Sequence, residues 1–219
     1  MPHLGADLVD LVLGRTCLAC DAPGPGWCPD CLATVRGRAR IVRVPALDVV
    51  VASAVRYDGM QRRAILDYKE RGHRALARPL GVLLADAVLV HAAPWPGQRL
   101  ALVPIPGHRR ATRGFDALGA VAAAARQSLA TTGHAAVVSR LLRPGAPHTP
   151  LKELGRGERF RAIEGAFQPA RAAPTPPDDL VVIVDDVVTS GATIAEAARV
   201  LRRVGVPVGC SATVAAALR

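Results

Sequence analysis

Residues 181–193 read Val-Val-Ile-Val-Asp-Asp-Val-Val-Thr-Ser-Gly-Ala-Thr, an apolar run that ends in two adjacent carboxylates and a small, hydroxyl-rich turn. The β-branched run Val181 to Val184 predicts a strand covered on both faces, as in a parallel sheet. Behind the turn, Ile194, Ala197, Ala198 and Leu201 recur at helical spacing. Strand, turn and helix in that order put the turn at the carboxyl end of a strand, where open α/β sheets bind their ligands. A turn with few side chains that opens a helix points several backbone N–H groups at one spot, which suits a phosphate. Thr189, Ser190, Gly191, Ala192 and Thr193 form this cradle. The expected fold class is α/β, with a mostly parallel central sheet flanked by helices.

Asp185 and Asp186 would repel a bare phosphate, so they require a different partner about a sugar's width away. Carboxylates accept hydrogen bonds from a vicinal diol, and ribose hydroxyls with Mg2+ in attendance fit them. The competing reading has the two acids end a strand and Thr193 or Ser190 cap a helix. Capping accounts for one acid or one hydroxyl but not for the ordered string. Neither Gly-Lys-Ser nor Gly-Lys-Thr occurs in the sequence, which argues against a P-loop nucleotide hydrolase.

The chain has 219 residues, half of them hydrophobic, enough for one α/β domain and a small appendage. The longest apolar candidate for a membrane span, Leu80 to Trp95, is interrupted by Asp86 and His91. Leu4 to Leu13 is too short and, with Asp7 and Asp10, too acidic for a secretory signal. A cytoplasmic protein without a membrane span is expected. The net charge of +10 would attract polyanions regardless of sequence. However, 26 of the 28 basic residues are Arg in a chain rich in Ala, Val, Gly and Pro, which is also the signature of GC-rich coding. Seven aromatic residues give single-stranded bases few platforms for stacking.

Cys17, Cys20, Cys28 and Cys31 form two C-x-x-C pairs separated by seven residues, with Pro23, Gly24, Pro25 and Gly26 turning the chain between them. Each pair can present two thiolates from a tight turn, and a hairpin lets the pairs meet around one tetrahedral ion. Zinc bound by four thiolates has no open position, so the site would be structural. Disulfides are the alternative; a cytosolic setting disfavours them, and a redox C-x-x-C belongs beside a thioredoxin-like unit that is absent here. Cys210 lies in the apolar stretch Val206 to Ala217 and reads as a core thiol.

The domain boundary is expected near residue 45, with an N-terminal helix and cysteine module over 1–45 and the α/β domain over 46–219. Arg36 to Arg43 reads as a basic connector with little structure. Strands are expected at Val49 to Val55, Leu100 to Val103 and Val137 to Leu141, and helices at Met60 to Arg71, Ala75 to His91 and Phe115 to Ala130. Arg143 to Arg161 reads as an irregular basic segment and Pro169 to Pro177 as an exposed connector.

Three further stretches carry chemistry. Leu102-Val103-Pro104-Ile105-Pro106 leads into a glycine-bounded basic loop, Gly107 to Phe115, whose Arg109, Arg110 and Arg113 could grip phosphate oxygens with their planar forks. A solvated basic turn is the plainer alternative. Lys69, one of two lysines in the chain, stands in Lys69-Glu70-Arg71-Gly72 as a compact cation, or simply at a surface helix end. Lys152 to Phe167 is either a flap over bound ligand or an exposed loop.

Residues 181–193 resemble the thirteen-residue signature for 5-phosphoribosyl 1-pyrophosphate (PRPP) in type I phosphoribosyltransferases. With the four cysteines, Tyr57-Asp58-Gly59, Lys69 to Gly72, Val103 to Pro106 with Arg113-Gly114-Phe115, and Gly165-Ala166-Phe167, nearly the whole chain resembles the ComF/GntX family. The resemblance implies a type I phosphoribosyltransferase fold behind a double zinc ribbon-like module. It implies that Asp185 and Asp186 hold the ribose 2′ and 3′ hydroxyls, and that Thr189 to Thr193 hold the 5′-phosphate. Arg109, Arg110, Arg113 and Lys69 would complete the PRPP site, with Arg113 acting beside the two acids in catalysis. Mg2+ would accompany PRPP, and the phosphoribosyl group would pass to an acceptor. Association with DNA uptake in natural competence is also implied. The alternative is a non-catalytic protein that binds single-stranded DNA or the uptake machinery. Asp116-Ala117 stand where the family often has Asn-Gln, and Leu151 and Ala162 stand where it carries Gln and Asn, so the acceptor side departs from the pattern.

Overall fold

A six-stranded sheet realises the alternation of strand and helix signals. The computed structural model describes residues 16–24, 26–45, 47–107, 115–145, 163–170 and 178–217. Its strands are β1 (Arg40–Val42), β2 (Val50–Arg56), β3 (Leu100–Pro104), β4 (Ala136–Val138), β5 (Leu142–Pro144), β6 (Phe167–Pro169), β7 (Leu180–Val188) and β8 (Cys210–Ala216). The helices are α1 (Pro29–Ala33), α2 (Gly59–Glu70), α3 (Ala77–Ala92), α4 (Ala117–Thr131) and α5 (Ala192–Arg203), with a 3₁₀ turn at Arg74–Leu76.

The sheet order is β1-β2-β8-β7-β3-β4. The strands β2, β8, β7, β3 and β4 are parallel neighbours, and β1 adds antiparallel to β2 at one edge. Inner parallel strands have helices on their faces and so need apolar residues throughout. The fully covered Val181 to Val184 and Leu100 to Val103 meet that requirement. The registers bring Asp185 opposite Thr213 of β8 and leave the acids beyond Pro104, the last β3 residue in the ladder with β7.

Helix α3 packs over β2 and β8 and runs against α4. Arg74–Ala92 is long and apolar enough by composition to cross a membrane, but it lies in the core, with Leu83, Leu84 and Val88 fully buried. At its crossing with α4, a Cβ on Gly81 would stand 2.4 Å from Ala124 Cβ and 2.8 Å from the Ala125 nitrogen. Only glycine lets the two backbones meet there.

The strands and helices expected from periodicity appear within a few residues of their anticipated limits, with Val137 to Leu141 shortened to β4. Two regions differ. The connector Arg36 to Arg43 contains β1, and the segment expected to be irregular from Arg143 begins inside β5, which pairs antiparallel with β6. Three-residue strands are too short to show a period of two, so tertiary pairing forms them without a local signal. The N-terminal helix expected ahead of the cysteines lies outside the described residues.

The cysteine segment is seated on the α/β unit. Cys17 and Trp27 are buried in the same apolar cluster as the sheet residues. Arg36 grips Asp86 of α3 through two hydrogen bonds of 3.0 and 2.7 Å.

Candidate functional site

Asp185 and Asp186 are the last acids before the end of β7, both partly buried. The backbone N–H of Asp186 donates to Asp185 Oδ1 at 2.8 Å, which fixes one oxygen of the first acid. The Lys69 ammonium pairs with Asp186 Oδ2 and so occupies one oxygen of the second. Burial first, and then the neighbouring Asp186 charge, push the Asp185 carboxyl up to about 7 against the opposing pull of Lys69. For Lys69, burial works against the charge, but the Asp186 and Asp185 carboxylates outweigh it and hold the ammonium above its ordinary value.

Lys69 sits in the last turn of α2, and the residue before it fixes that turn. The Tyr68 hydroxyl donates to the Ala117 carbonyl at 2.6 Å, and its ring meets Phe115 edge-on at 5.8 Å. The Arg74 guanidinium lies 4.9 Å from the centre of the Phe115 ring. Burial, followed by the Asp116 and Asp186 carboxylates, raises the Tyr68 phenol, which therefore remains a donor. Asp116 caps α4 by accepting from the Gly119 N–H at 3.1 Å, and it pairs with Arg140. This anchoring of Tyr68 on Phe115 had no signal in the periodicity.

The turn after β7 follows the expected course. Gly191 adopts the left-handed conformation at φ +81° and opens α5, and Ser190 Oγ accepts weakly from the Ala192 N–H at 3.4 Å. Among the described residues, the N–H groups of Thr189, Ser190 and Gly191 have no backbone partner; Thr189 is exposed, and Ser190 and Gly191 are buried. A Cβ on Gly191 would meet Val44 Cγ1 at 2.7 Å and Leu47 Cδ2 at 3.3 Å. Sequence reasoning missed this contact, because Val44 and Leu47 come from the connector after β1. Arg202 of α5 pairs with Asp48 of the same connector.

Arg109, Arg110 and Arg113 lie outside the described residues, as do Leu151 and Ala162. Of Lys152 to Phe167, read as either a flap or an exposed loop, residues 163–167 are described, and Ile163, Ala166 and Phe167 among them are buried. Gly165 donates its N–H to buried Glu196 of α5 at 2.9 Å, and Glu196 holds Arg199 through two bonds of 2.6 Å. A cavity of about 170 Å³ lies between Ile163, Glu164 and the α5 residues Ala192, Ala195, Glu196 and Arg199.

The four N-terminal thiols converge, with their sulfurs all within 4.8 Å of one another. Cys20 Sγ and Cys28 Sγ are 3.7 Å apart. A tetrahedron of Zn–S bonds near 2.3 Å has edges of roughly 3.8 Å, so the spacing fits zinc. None of the cysteines is in a disulfide. Cys28 N–H donates to Cys17 Sγ and Cys31 N–H to Cys28 Sγ, both at 3.4 Å. Burial disfavours the Cys17 thiolate, but the backbone donors led by Cys28 prevail and bring this thiol down to about 6. Cys210 is separate: buried in β8, it donates to the Val181 carbonyl at 3.3 Å, and burial pushes it up to about 12.

Residues 119–218 match the family described as phosphoribosyl transferase domain. The matched part runs from α4 to the end of β8 and contains both acids and the turn, while Lys69, the basic loop and the four cysteines fall before it. No curated protein matches the chain.

Proposed function

We propose that this protein binds PRPP and transfers its phosphoribosyl group to an acceptor. One observation carries the reading: within the part that matches a phosphoribosyl transferase domain, β7 delivers two adjacent acids beside a left-handed turn that opens a helix. Asp185 and Asp186 would hold the ribose hydroxyls and Thr189 to Thr193 the 5′-phosphate. Arg109, Arg110 and Arg113, which follow β3 in the sequence, would receive the pyrophosphate. In transfer, the bond from C1 to the pyrophosphate oxygen breaks, a bond from C1 to the acceptor nitrogen forms, and the acceptor gives up a proton. Arginine forks on the departing oxygens would supply the electrostatic stabilisation such a step needs, with Arg113 assigned the catalytic role beside the two acids. Mg2+, when bound with PRPP, supplies further neutralisation of the pyrophosphate charge.

The order of the cysteine pairs, Tyr57-Asp58-Gly59, the Lys69 stretch, Arg113-Gly114-Phe115 and Gly165-Ala166-Phe167 supports a protein of the ComF/GntX kind. By that resemblance we extend to it an association with DNA uptake. Zinc held by Cys17, Cys20, Cys28 and Cys31 would be structural, and a thiolate site supports a reducing, cytoplasmic setting. The deciding experiment is calorimetry with PRPP and Mg2+. Asp185→Asn combined with Asp186→Asn abolishes binding if the reading is right, and wild-type affinity in that double variant overturns it.

A further inference from the structure

Gly191 does not fix its own shape. It stands at φ +81° where β7 turns into α5, and glycine samples positive and negative φ about equally. Within the turn, the bond from the Ala192 N–H to Ser190 Oγ is weak at 3.4 Å, and the N–H groups of Thr189, Ser190 and Gly191 have no backbone partner among the described residues. The segment expected to grip a phosphate therefore carries little internal restraint. A binding turn of this kind needs support from the structure around it.

That support comes from the connector between β1 and β2. Val44, only 7% exposed, lies against the face of Gly191 where a side chain would stand. A Cβ there would be 2.7 Å from Val44 Cγ1 and 3.3 Å from Leu47 Cδ2. The connector is itself held on both sides. Ahead of it, β1 pairs with β2 from Arg40 to Val42. Behind it, Asp48 pairs with Arg202, whose guanidinium also donates to the Val208 carbonyl at 3.0 and 2.6 Å. Between these points the Leu47 N–H donates to the Val44 carbonyl at 3.3 Å, which keeps the two apolar side chains together. The connector thus meets α5 at both ends, at the glycine that opens it and at an arginine of its last turn. Any shift of Gly191 would have to displace packed side chains that neighbouring bonds keep in place.

We propose that Val44 and Leu47 are positioning residues for the turn at 189–193 and keep it preformed for a phosphate monoester. The inference rests on the reading of that turn as the 5′-phosphate site. It adds that the site is completed by a segment lying before residues 119–218, the part that matches a phosphoribosyl transferase domain. The two side chains act through Gly191, by sparing the turn an ordering cost when the ligand arrives.

The test is calorimetry on the full chain with two probes, ribose 5-phosphate and Mg2+-pyrophosphate. Val44→Ala should weaken ribose 5-phosphate about tenfold, the cost of ordering roughly one residue's backbone, and leave Mg2+-pyrophosphate within about twofold of wild type. Val44→Thr, which keeps the shape of the side chain, should stay near wild type for both probes. Leu47→Ala, at a half-buried position, should also weaken ribose 5-phosphate selectively and serves where Val44→Ala does not fold. Unchanged or tighter ribose 5-phosphate binding in the folded alanine variant overturns the proposal, the tighter case meaning that the connector covers the turn instead of supporting it. So does an equal loss for both probes, which marks a general disturbance of the fold. Wild-type protein that takes Mg2+-pyrophosphate but no ribose 5-phosphate overturns the phosphate reading of the turn and this inference with it. Wild-type binding that neither alanine variant alters sinks this inference alone.

Discussion

At the scale of the residue, Asp185 links the site to pH. Its carboxyl has an ordinary value of 3.8 and is raised to about 7 in the fold, by burial first and Asp186 second. The folded state therefore holds this proton more tightly than the unfolded chain does. The associated stability is fully present below about pH 4 and is lost as pH climbs through about 7. Asp185→Asn removes the penalised charge while keeping an oxygen for the Asp186 N–H. Its melting temperature should exceed that of wild type at about pH 8, with the gap closing toward about pH 4. Calorimetric melts across that range check the expectation, and a gap that does not vary with pH would refute it. The acids and their turn were legible in the sequence because they are contiguous and their strand-turn-helix setting is local. Lys69 was legible only as an anomaly of composition. Its pairing with Asp186 joins α2 to β7, and no local pattern encodes such a contact.

At the scale of the element, the crossing of α3 and α4 sets two effects against each other. Replacing glycine by alanine inside a helix usually stabilises it by about 1 kcal/mol through propensity. At Gly81 the added carbon would stand 2.4 Å from Ala124 Cβ and close to the Ala125 backbone, and forcing a methyl into a packed seam costs about 1–3 kcal/mol. Packing should win, so Gly81→Ala should lower the urea midpoint without changing the slope, and a rise in the midpoint would contradict the close approach. The helices themselves were readable because their apolar positions recur over three or more turns. The β5–β6 hairpin was not, since its pairing of Arg143 with Gln168 depends on a partner far along the chain. The Glu196 bond to Gly165 was hidden for the same reason: a buried Glu in a helix looks like any surface Glu until its partner is known.

At the scale of the whole molecule, the cysteine segment and the α/β unit share a core. Elemental analysis should find one zinc per chain, and Cys20→Ser with Cys28→Ser should remove it. Chelation should lower the melting temperature of the intact chain as well, because Cys17 and Trp27 belong to the common apolar cluster. An unchanged melting temperature after complete metal loss would mean that the module contributes nothing to the fold. The spacing of the cysteines made the cluster readable. The seating of Gly26 on Leu76, the Arg36–Asp86 pair and the contact of Val44 with Gly191 could not be read, since each joins parts that are remote in sequence.

Strand β1 has a practical consequence for anyone producing a shortened protein. It covers the outer edge of β2, and three arginines, Arg38, Arg40 and Arg43, lie on or beside it. Charged side chains on a border strand discourage other chains from adding to it. A protein begun at residue 46 would lose that guard and present the bare hydrogen-bonding groups of Val51 to Ser53 to solvent. Such a fragment should self-associate as its concentration rises, where the full chain stays dispersed, and light scattering on the two side by side would show it.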